Sequence, residues 1–167
     1  TSLTPSAMTV KLPPELIPSE PTLDNYRTVL RQPNFGRWVL NSFIQALSVT
    51  AVTVATASMA GYALAKLPFR GSRLLFWLFI MSMMLPFEAI LVPLFLVVTR
   101  LGLVDTYLGL LLPLMVSPFS IFLMKQFIQT LPTELLDAAR VDGAGEARIF
   151  WEVVLPLVRP GLAFLGI

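Results

Sequence analysis

The sequence predicts an all-α fold, a polytopic bundle of transmembrane helices. Of its 167 residues, 56% are hydrophobic and 13% are charged, whereas soluble domains average about 25% charged residues. Residues 38–65 and 106–124 contain no Asp, Glu, Lys or Arg, and Glu88 is the only charged residue within 74–99. Because roughly 20 apolar residues cross a bilayer as a helix, these stretches favour membrane spans over the buried helices of a soluble protein.

Residues 1–36 form a polar, proline-rich segment that we expect on the extracytoplasmic side. Closely spaced prolines disfavour long helices. One short amphipathic helix is expected from Thr22, a residue type that caps helix N-termini, with Asp24 in the first turn and Tyr26 and Leu30 on one side.

The first predicted span covers about residues 38–65 and is rich in small residues. One face carries, at alternating spacings of four and three, Ala46, Thr50, Thr53, Ala57 and Ala60. Small residues let helix backbones approach closely in lipid, where packing replaces the hydrophobic drive. We therefore expect this helix inside the bundle.

The distribution of basic residues predicts the orientation. The loop 66–73 carries three basic residues and no acidic one, which is typical of cytoplasmic loops. Alternation then places the link 100–106 outside and the residues after Lys125 inside. The basic residues of segment 1–36 argue against this orientation, although long segments follow the rule poorly.

The second predicted span, about residues 74–99, carries Glu88 between Pro86 and Pro93. An ionisable side chain at membrane depth suggests a functional site, and prolines favour a helix kink. We interpret Pro86 and Glu88 as lying on a translocation path along a bent helix. The alternative is that Glu88 lies near the outer interface and is solvated there. A third span is predicted over about residues 107–126.

Several kinds of chemistry have no residues to support them. The chain has no cysteine and no histidine, which removes thiolate chemistry, the commonest general base and the commonest metal ligand. We therefore predict no catalytic residue, no metal and no cofactor of its own. A net charge of +2 is too small to indicate nucleic acid binding.

Residues 130–156 predict a cytoplasmic loop of two short amphipathic helices. The first should begin near Pro132 and end near Asp142, because Gly143 accepts the left-handed conformation that ends helices. Leu135, Ala138, Ala139 and Asp142 are predicted to share one face, and Arg140 is placed to pair with Asp137. The second should cover about residues 145–155, with Arg148 and Glu152 paired, and another span should begin after residue 157. By spacing alone, an ordinary interfacial hairpin explains this segment equally well.

Three parts of this loop resemble the EAA loop of ABC importer permeases. They are Asp137-Ala138-Ala139 with Asp142-Gly143-Ala144, then Ile149-Phe150, then Leu155-Pro156. Asp137 stands where that family usually has Glu, and Val153 where it usually has Ile.

Flanking segments resemble the carbohydrate branch, the maltose- and glycerol-phosphate-type permeases. They are Pro21–Tyr26, Asn41-Ser42, Ala60–Lys66, Phe69–Gly71 and Leu101–Leu110. The resemblance implies a type I ABC importer permease domain over residues 37–167. It also implies a chain truncated at both ends, with one span before residue 1 and more after residue 167, in a multi-pass protein of the bacterial plasma membrane.

The resemblance further implies a mechanism, in which the EAA loop forms a coupling helix seated in a groove of an ATPase subunit. The implied coupling residues are Asp137, Ala138, Ala139, Arg140, Asp142, Gly143, Leu155 and Pro156. The implied partners are ATPase subunits, a second permease subunit and an extracytoplasmic solute-binding protein. The chain has no Gly-x-x-x-x-Gly-Lys-Ser/Thr phosphate loop, so ATP is expected on a partner.

The expected function is therefore the permease subunit of a sugar importer. Three alternatives stay open at this point: a permease of the same superfamily for a non-sugar solute such as a peptide or phosphate, a membrane-embedded enzyme, and a channel.

Overall fold

A computed structural model describes residues 2–3 and 21–166, and these residues form helices and connecting turns without a strand. Most of the proline-rich stretch expected outside the membrane, residues 4–20, lies outside the described residues. The chain forms two compact units, Thr1–Ile44 and Gln45–Ile167.

In the first unit, α1 covers Asp24–Leu30. The Asp24 N–H donates to Thr22 Oγ1 at 3.2 Å, so Thr22 stabilises the helix start from two residues before it. The Tyr26 hydroxyl lies 3.1 Å from Ser2 Oγ, within hydrogen-bond distance.

The remaining elements follow in chain order. They are α2 (Phe35–Lys66), α3 (Ser72–Met83), α4 (Phe87–Arg100), α5 (Tyr107–Leu111), a 3₁₀ turn (Leu112–Leu114), α6 (Pro118–Gln129), α7 (Thr133–Val141), α8 (Glu146–Ile149), a π-helical turn (Phe150–Val154), α9 (Leu155–Leu157) and α10 (Arg159–Leu165).

One described helix, α2, is long and apolar enough to cross a membrane by itself, and it corresponds to the predicted span 38–65. Two bent pairs become spans only if each pair is taken as one: α3 with α4, bent by 103°, and Tyr107–Leu114 with α6, bent by 43°. The structure thus allows up to three spans where the sequence predicted them.

The predicted second span is not one kinked helix but two helices. α3 ends at Met83, and Pro86 is the extended N-cap of α4, with φ −65° and ψ 139°. Proline disfavours helical backbone at the preceding residue and supplies no N–H, so the helix breaks before Pro86. Pro93, in contrast, lies inside α4 without ending it.

The hydrophobic core of the second unit joins α2, α6 and the segment α7–α9. Its fully buried large side chains are Met124, Ile128, Leu136, Ile149 and Val154. The small-residue face predicted on α2 is buried at Thr53 and Ala57 but exposed at Ala46. Gly61 extends this face by one helical turn beyond Ala57. A Cβ at Gly61 would lie 2.9 Å from the Met124 Cβ and from the Lys125 backbone nitrogen. A glycine is therefore required where α2 passes closest to α6.

Candidate functional site

The candidate site is the hairpin formed by α7 and α8, at the position of the EAA-like motif. α7 ends as predicted at Gly143, which has φ +83°. The Gly143 N–H donates to the Arg140 carbonyl at 3.0 Å, and the Ala144 N–H donates to the Ala139 carbonyl at 2.9 Å. These two bonds form a Schellman motif, in which a left-handed residue lets the chain reverse while the last helical carbonyls keep partners.

The buried face of α7 is centred on Leu136. Leu136 is completely buried, whereas Leu135 is 47% exposed. Ala139 and Arg140 are partly buried and lie three and four residues after Leu136, on the same face. The hairpin thus packs on the core through Leu136 and, from α8, through Ile149.

The opposite face of α7 forms an exposed surface that we call the tip surface, made of Leu135, Ala138, Val141 and Asp142. Val141 is 87% exposed. Three of these four residues are apolar. Glu134 and Asp137 are also exposed and lie on the same side, one helical turn before Ala138 and Val141 respectively.

A polar network lies under the tip surface and reaches from α7 to α2. Arg140 Nη1 donates to Asp137 Oδ1 at 2.7 Å, and Arg140 Nε donates to Glu146 Oε1 at 2.8 Å. The other carboxylate oxygen, Glu146 Oε2, accepts a hydrogen bond from the Tyr62 hydroxyl. Arg140 therefore pairs with Asp137 as predicted, but it is engaged within the chain rather than free at the rim.

Hydrogen bonds within the network shift the pKa values of Glu146 and Arg140, which both lie outside the predicted spans. The hydrogen bond from Arg140, followed by that from Tyr62, lowers the pKa of the Glu146 carboxyl below its ordinary value. Hydrogen bonds to Glu146 and then to Asp137 raise the pKa of the Arg140 guanidinium. Both groups are held in their charged forms.

The sequence prediction missed Glu146. It lies in the first turn of α8, six residues after Arg140, and only the Gly143 turn brings the two side chains together. An acidic residue in a first helical turn was the one available signal, and such residues usually serve the helix dipole alone.

Lys66 makes a second polar contact between α2 and the hairpin. Its Nζ donates to the Leu131 carbonyl at 2.6 Å and lies 3.3 Å from Thr133 Oγ1. The last residue of α2 thus holds the entry to α7.

The two remaining residues of the motif lie on the returning arm. Leu155 is partly buried and packs against the core, while Pro156 is exposed within α9. The preceding turn is π-helical, and its wider spacing accommodates a proline that has no N–H to donate. The structure therefore does not bring Leu155 and Pro156 to the tip surface.

The structure places Pro86 and Glu88 at the break between α3 and α4. Glu88 is exposed and lies in the first turn of α4, where its negative charge complements the helix dipole. Within the described ranges, no three acidic side chains come together in a way that would hold a metal ion.

Comparison with known proteins gives a consistent result. Residues 54–167 match the family described as "binding-protein-dependent transport system inner membrane component". A sn-glycerol-3-phosphate transport system permease protein of Yersinia pestis is 45% identical over 131 residues, covering 78% of this chain and 47% of that protein. An arabinooligosaccharides transport system permease protein of Bacillus subtilis is 37% identical over 162 residues, covering 95% of this chain and 58% of that protein.

A solved structure is also similar. It is described as the crystal structure of a bacterial ABC transporter involved in the import of the acidic polysaccharide alginate. The match has a TM-score of 0.86 and 27% identity, and it covers 99% of this chain and 58% of the other.

The chain spans about half the length of the curated relatives it matches, as in the 47% coverage of the glycerol-phosphate permease. The family match includes the hairpin and the half of α2 that packs on it. The EAA-like motif predicts the same family, and the family match confirms that prediction. The chain belongs to the inner membrane components of binding-protein-dependent transport systems, the permease family of ABC importers.

Proposed function

We propose that this chain is part of the membrane-spanning permease subunit of an ATP-binding-cassette importer for sugars or related polyols. It would pass solute from a binding protein across the bacterial plasma membrane by alternating access. The observation that carries the proposal is the α7–α8 hairpin, which buries one face in the core and exposes an apolar face at its tip.

The tip surface has the properties of a docking element. Ala138 permits close approach of a partner backbone, and Leu135 and Val141 offer apolar area without the entropy cost of long side chains. Asp137, Asp142 and Glu134 surround it with carboxylates that can meet cationic residues at the rim of a groove. The expected coupling role of Asp137, Ala138, Ala139, Asp142 and Gly143 is part of this proposal.

The partner that occupies this surface would be an ATPase subunit. The sequence has no phosphate-binding loop, so ATP would be bound and hydrolysed by that subunit, and this chain would perform no chemistry. A second permease subunit and an extracytoplasmic solute-binding protein complete the proposed assembly. The description of the family, which names binding-protein-dependent transport, supports this arrangement.

The solute class rests on the relatives. Their names include permeases for sn-glycerol 3-phosphate and for arabinooligosaccharides, and the similar structure concerns alginate import. All three are polyhydroxylated compounds. We therefore propose a sugar or sugar-like solute in preference to a peptide.

Co-purification tests the docking role. The tagged full-length protein, expressed with its operon partners, should bring down an ATPase subunit from mild detergent. Ala138→Arg places a charge on the tip surface and should abolish this association. Ala147→Arg is the matched control, because Ala147 is an exposed alanine of the same hairpin outside the tip surface.

Two outcomes would contradict the proposal in different ways. Retention of the ATPase by Ala138→Arg would show that the tip surface is not the docking site. Absence of an ATPase with the wild type, while the membrane protein stays folded, would remove the importer function itself and reopen the channel and enzyme alternatives.

We also propose that Pro86 and Glu88 lie on the solute path, at the break between α3 and α4. Glu88→Gln should then lower uptake of the transported sugar while leaving ATPase association unchanged. Glu152→Gln, on the exposed side of the hairpin, is the control for loss of a carboxylate. Equal uptake by wild type and Glu88→Gln would place Glu88 off the path.

A further inference from the structure

Two residues on one face of α2 hold the two arms of the hairpin. Tyr62 and Lys66 are four residues apart, one helical turn, and so lie on the same side of α2. The Tyr62 hydroxyl donates to Glu146 at the start of α8, and Lys66 Nζ donates to the Leu131 carbonyl just before α7. The entry and the return of the hairpin are therefore both fixed to the same turn of α2.

Apolar packing lies directly beneath these polar contacts. The Tyr62 and Phe150 rings have centroids 5.6 Å apart, and Leu136 and Ile149 are completely buried in the same core. Apolar burial is less directional than hydrogen bonding, although side-chain packing also restricts the angle between the hairpin and α2. The hydrogen bonds of Glu146 are directional and can set that angle.

The network also extends outward to the tip surface. Glu146 binds Arg140, and Arg140 binds Asp137, which lies beside Ala138 on the exposed side of α7. A continuous series of hydrogen bonds thus joins α2 to the tip surface, where a partner subunit would bind. The other ion pair of the hairpin, Arg148 with Glu152, lies within one helical segment and is exposed, so it cannot serve this purpose.

We propose that Tyr62, Glu146 and Arg140 are positioning residues that make the hairpin and the cytoplasmic half of α2 move as one rigid body. This inference rests on the proposed function, because it supposes a partner that displaces the tip surface. Arg140, in this view, acts inside the chain to orient α7 and is not itself a contact for the ATPase.

Pulsed electron paramagnetic resonance can test this in the assembled transporter. Nitroxide labels are attached at Ala55→Cys on α2 and Arg148→Cys on α8, both exposed positions. The 167 residues contain no cysteine, so the labels are specific once any cysteine elsewhere in the protein is replaced. The distance is measured without nucleotide and with ATP and vanadate.

The expected result is no shift of the Ala55–Arg148 distance on nucleotide addition in the otherwise unchanged protein. Glu146→Gln should let the distance shift or broaden by about 2 Å, the scale of helix shifts at interfaces. Tyr62→Phe should do the same while keeping the ring that packs on Phe150, so a folding defect is not the cause. The label at position 148 already removes the partner of Glu152, so Glu152→Gln is the control for loss of a carboxylate outside the network and should leave the distance unchanged.

Two results would overturn the rigid-body proposal alone. One is a nucleotide-dependent shift in the unchanged protein. The other is that the distance in Glu146→Gln and in Tyr62→Phe stays as it is in the unchanged protein. Co-purification of the ATPase is recorded on the same samples. If no ATPase binds even the unchanged protein, the proposed function fails, and this inference fails with it. The two failures are therefore distinguishable.

Discussion

The segment α7–α9, which includes the hairpin, and the helix pair α3–α4 use apolar residues in opposite ways. This segment completely buries Leu136, Ile149 and Val154. The α3–α4 pair is more apolar in composition, yet neither of these two fully described helices contains a buried residue. Large side chains such as Trp77 and Phe95 are exposed there.

Apolar content alone therefore does not locate the core of this protein. Lipid solvates an apolar side chain as well as a protein interior does, so α3 and α4 can expose theirs without a penalty. The hairpin carries ion pairs and is predicted to lie outside the membrane, and in water the burial of apolar area stabilises a fold. Its core is therefore the part that resembles a soluble protein.

Replacement of leucine by alanine should give the largest difference in stability between the two regions. Leu136→Ala removes a completely buried side chain and should destabilise the protein by about 2–5 kcal/mol. Leu91→Ala, at an exposed position of α4, should cost less than about 0.5 kcal/mol. Thermal unfolding in detergent measures both. Leu135→Ala is the control within α7, and a cost equal to that of Leu136→Ala would contradict the assigned face.

A substitution at the contact between α2 and α6 should have the next largest effect on stability. Gly61→Ala places a Cβ 2.9 Å from backbone and side-chain atoms of α6 and should cost about 1–3 kcal/mol through overpacking. Gly36→Ala, in the same helix with nothing within 4 Å, should be neutral or stabilising by up to about 1 kcal/mol. Denaturation midpoints of the two variants provide the comparison. Equal midpoints would mean that the contact between α2 and α6 accommodates a methyl group at Gly61 with no loss of stability.

Substitution of Gly143, in the turn of the hairpin, should lower stability through backbone conformation alone. Gly143 has φ +83°, and a Cβ there meets nothing within 4 Å. Gly143→Ala should therefore cost about 1–2 kcal/mol, the penalty of left-handed backbone for an L-residue. Gly143→Asn should cost less, since Asn tolerates this conformation better. If both variants unfold like the wild type, the Schellman motif does not limit stability.

The smallest expected effect concerns pH. The pKa of Glu146 is lowered in the folded protein, so its contribution to stability is present above the ordinary glutamate pKa and is lost as the pH falls through the lowered value. The wild type should therefore be more stable than Glu146→Gln at neutral pH, and the gap should close in acid. Melting temperatures across pH 3–8 measure the gap, with Glu152→Gln as the control. A gap that stays constant would exclude the ionised network.

Part of the molecule follows from local sequence rules. The end of α7 at Gly143 depends on one residue that accepts positive φ, and the Arg140–Asp137 and Arg148–Glu152 pairs depend on helical spacing. The long apolar stretch of α2 depends on composition alone. Each of these features was predictable because its cause lies within a few residues.

Other features depend on residues distant in the chain. Leu135 and Leu136 are neighbours of the same type, and only packing on Ile149 and α6 decides that Leu136 is the buried one. A proline is compatible with a kinked helix or with a complete break, so the sequence around Pro86 did not specify that α3 and α4 are separate helices. Glu146 meets Tyr62, 84 residues earlier, only because the hairpin folds back on α2. The apolar stretch of α2, the turn at Gly143 and the family could be predicted from the sequence alone, because these are properties of composition and short motifs. Which side of α7 is buried and how the hairpin is held to α2 depended on tertiary structure, because both require contacts that no local pattern specifies.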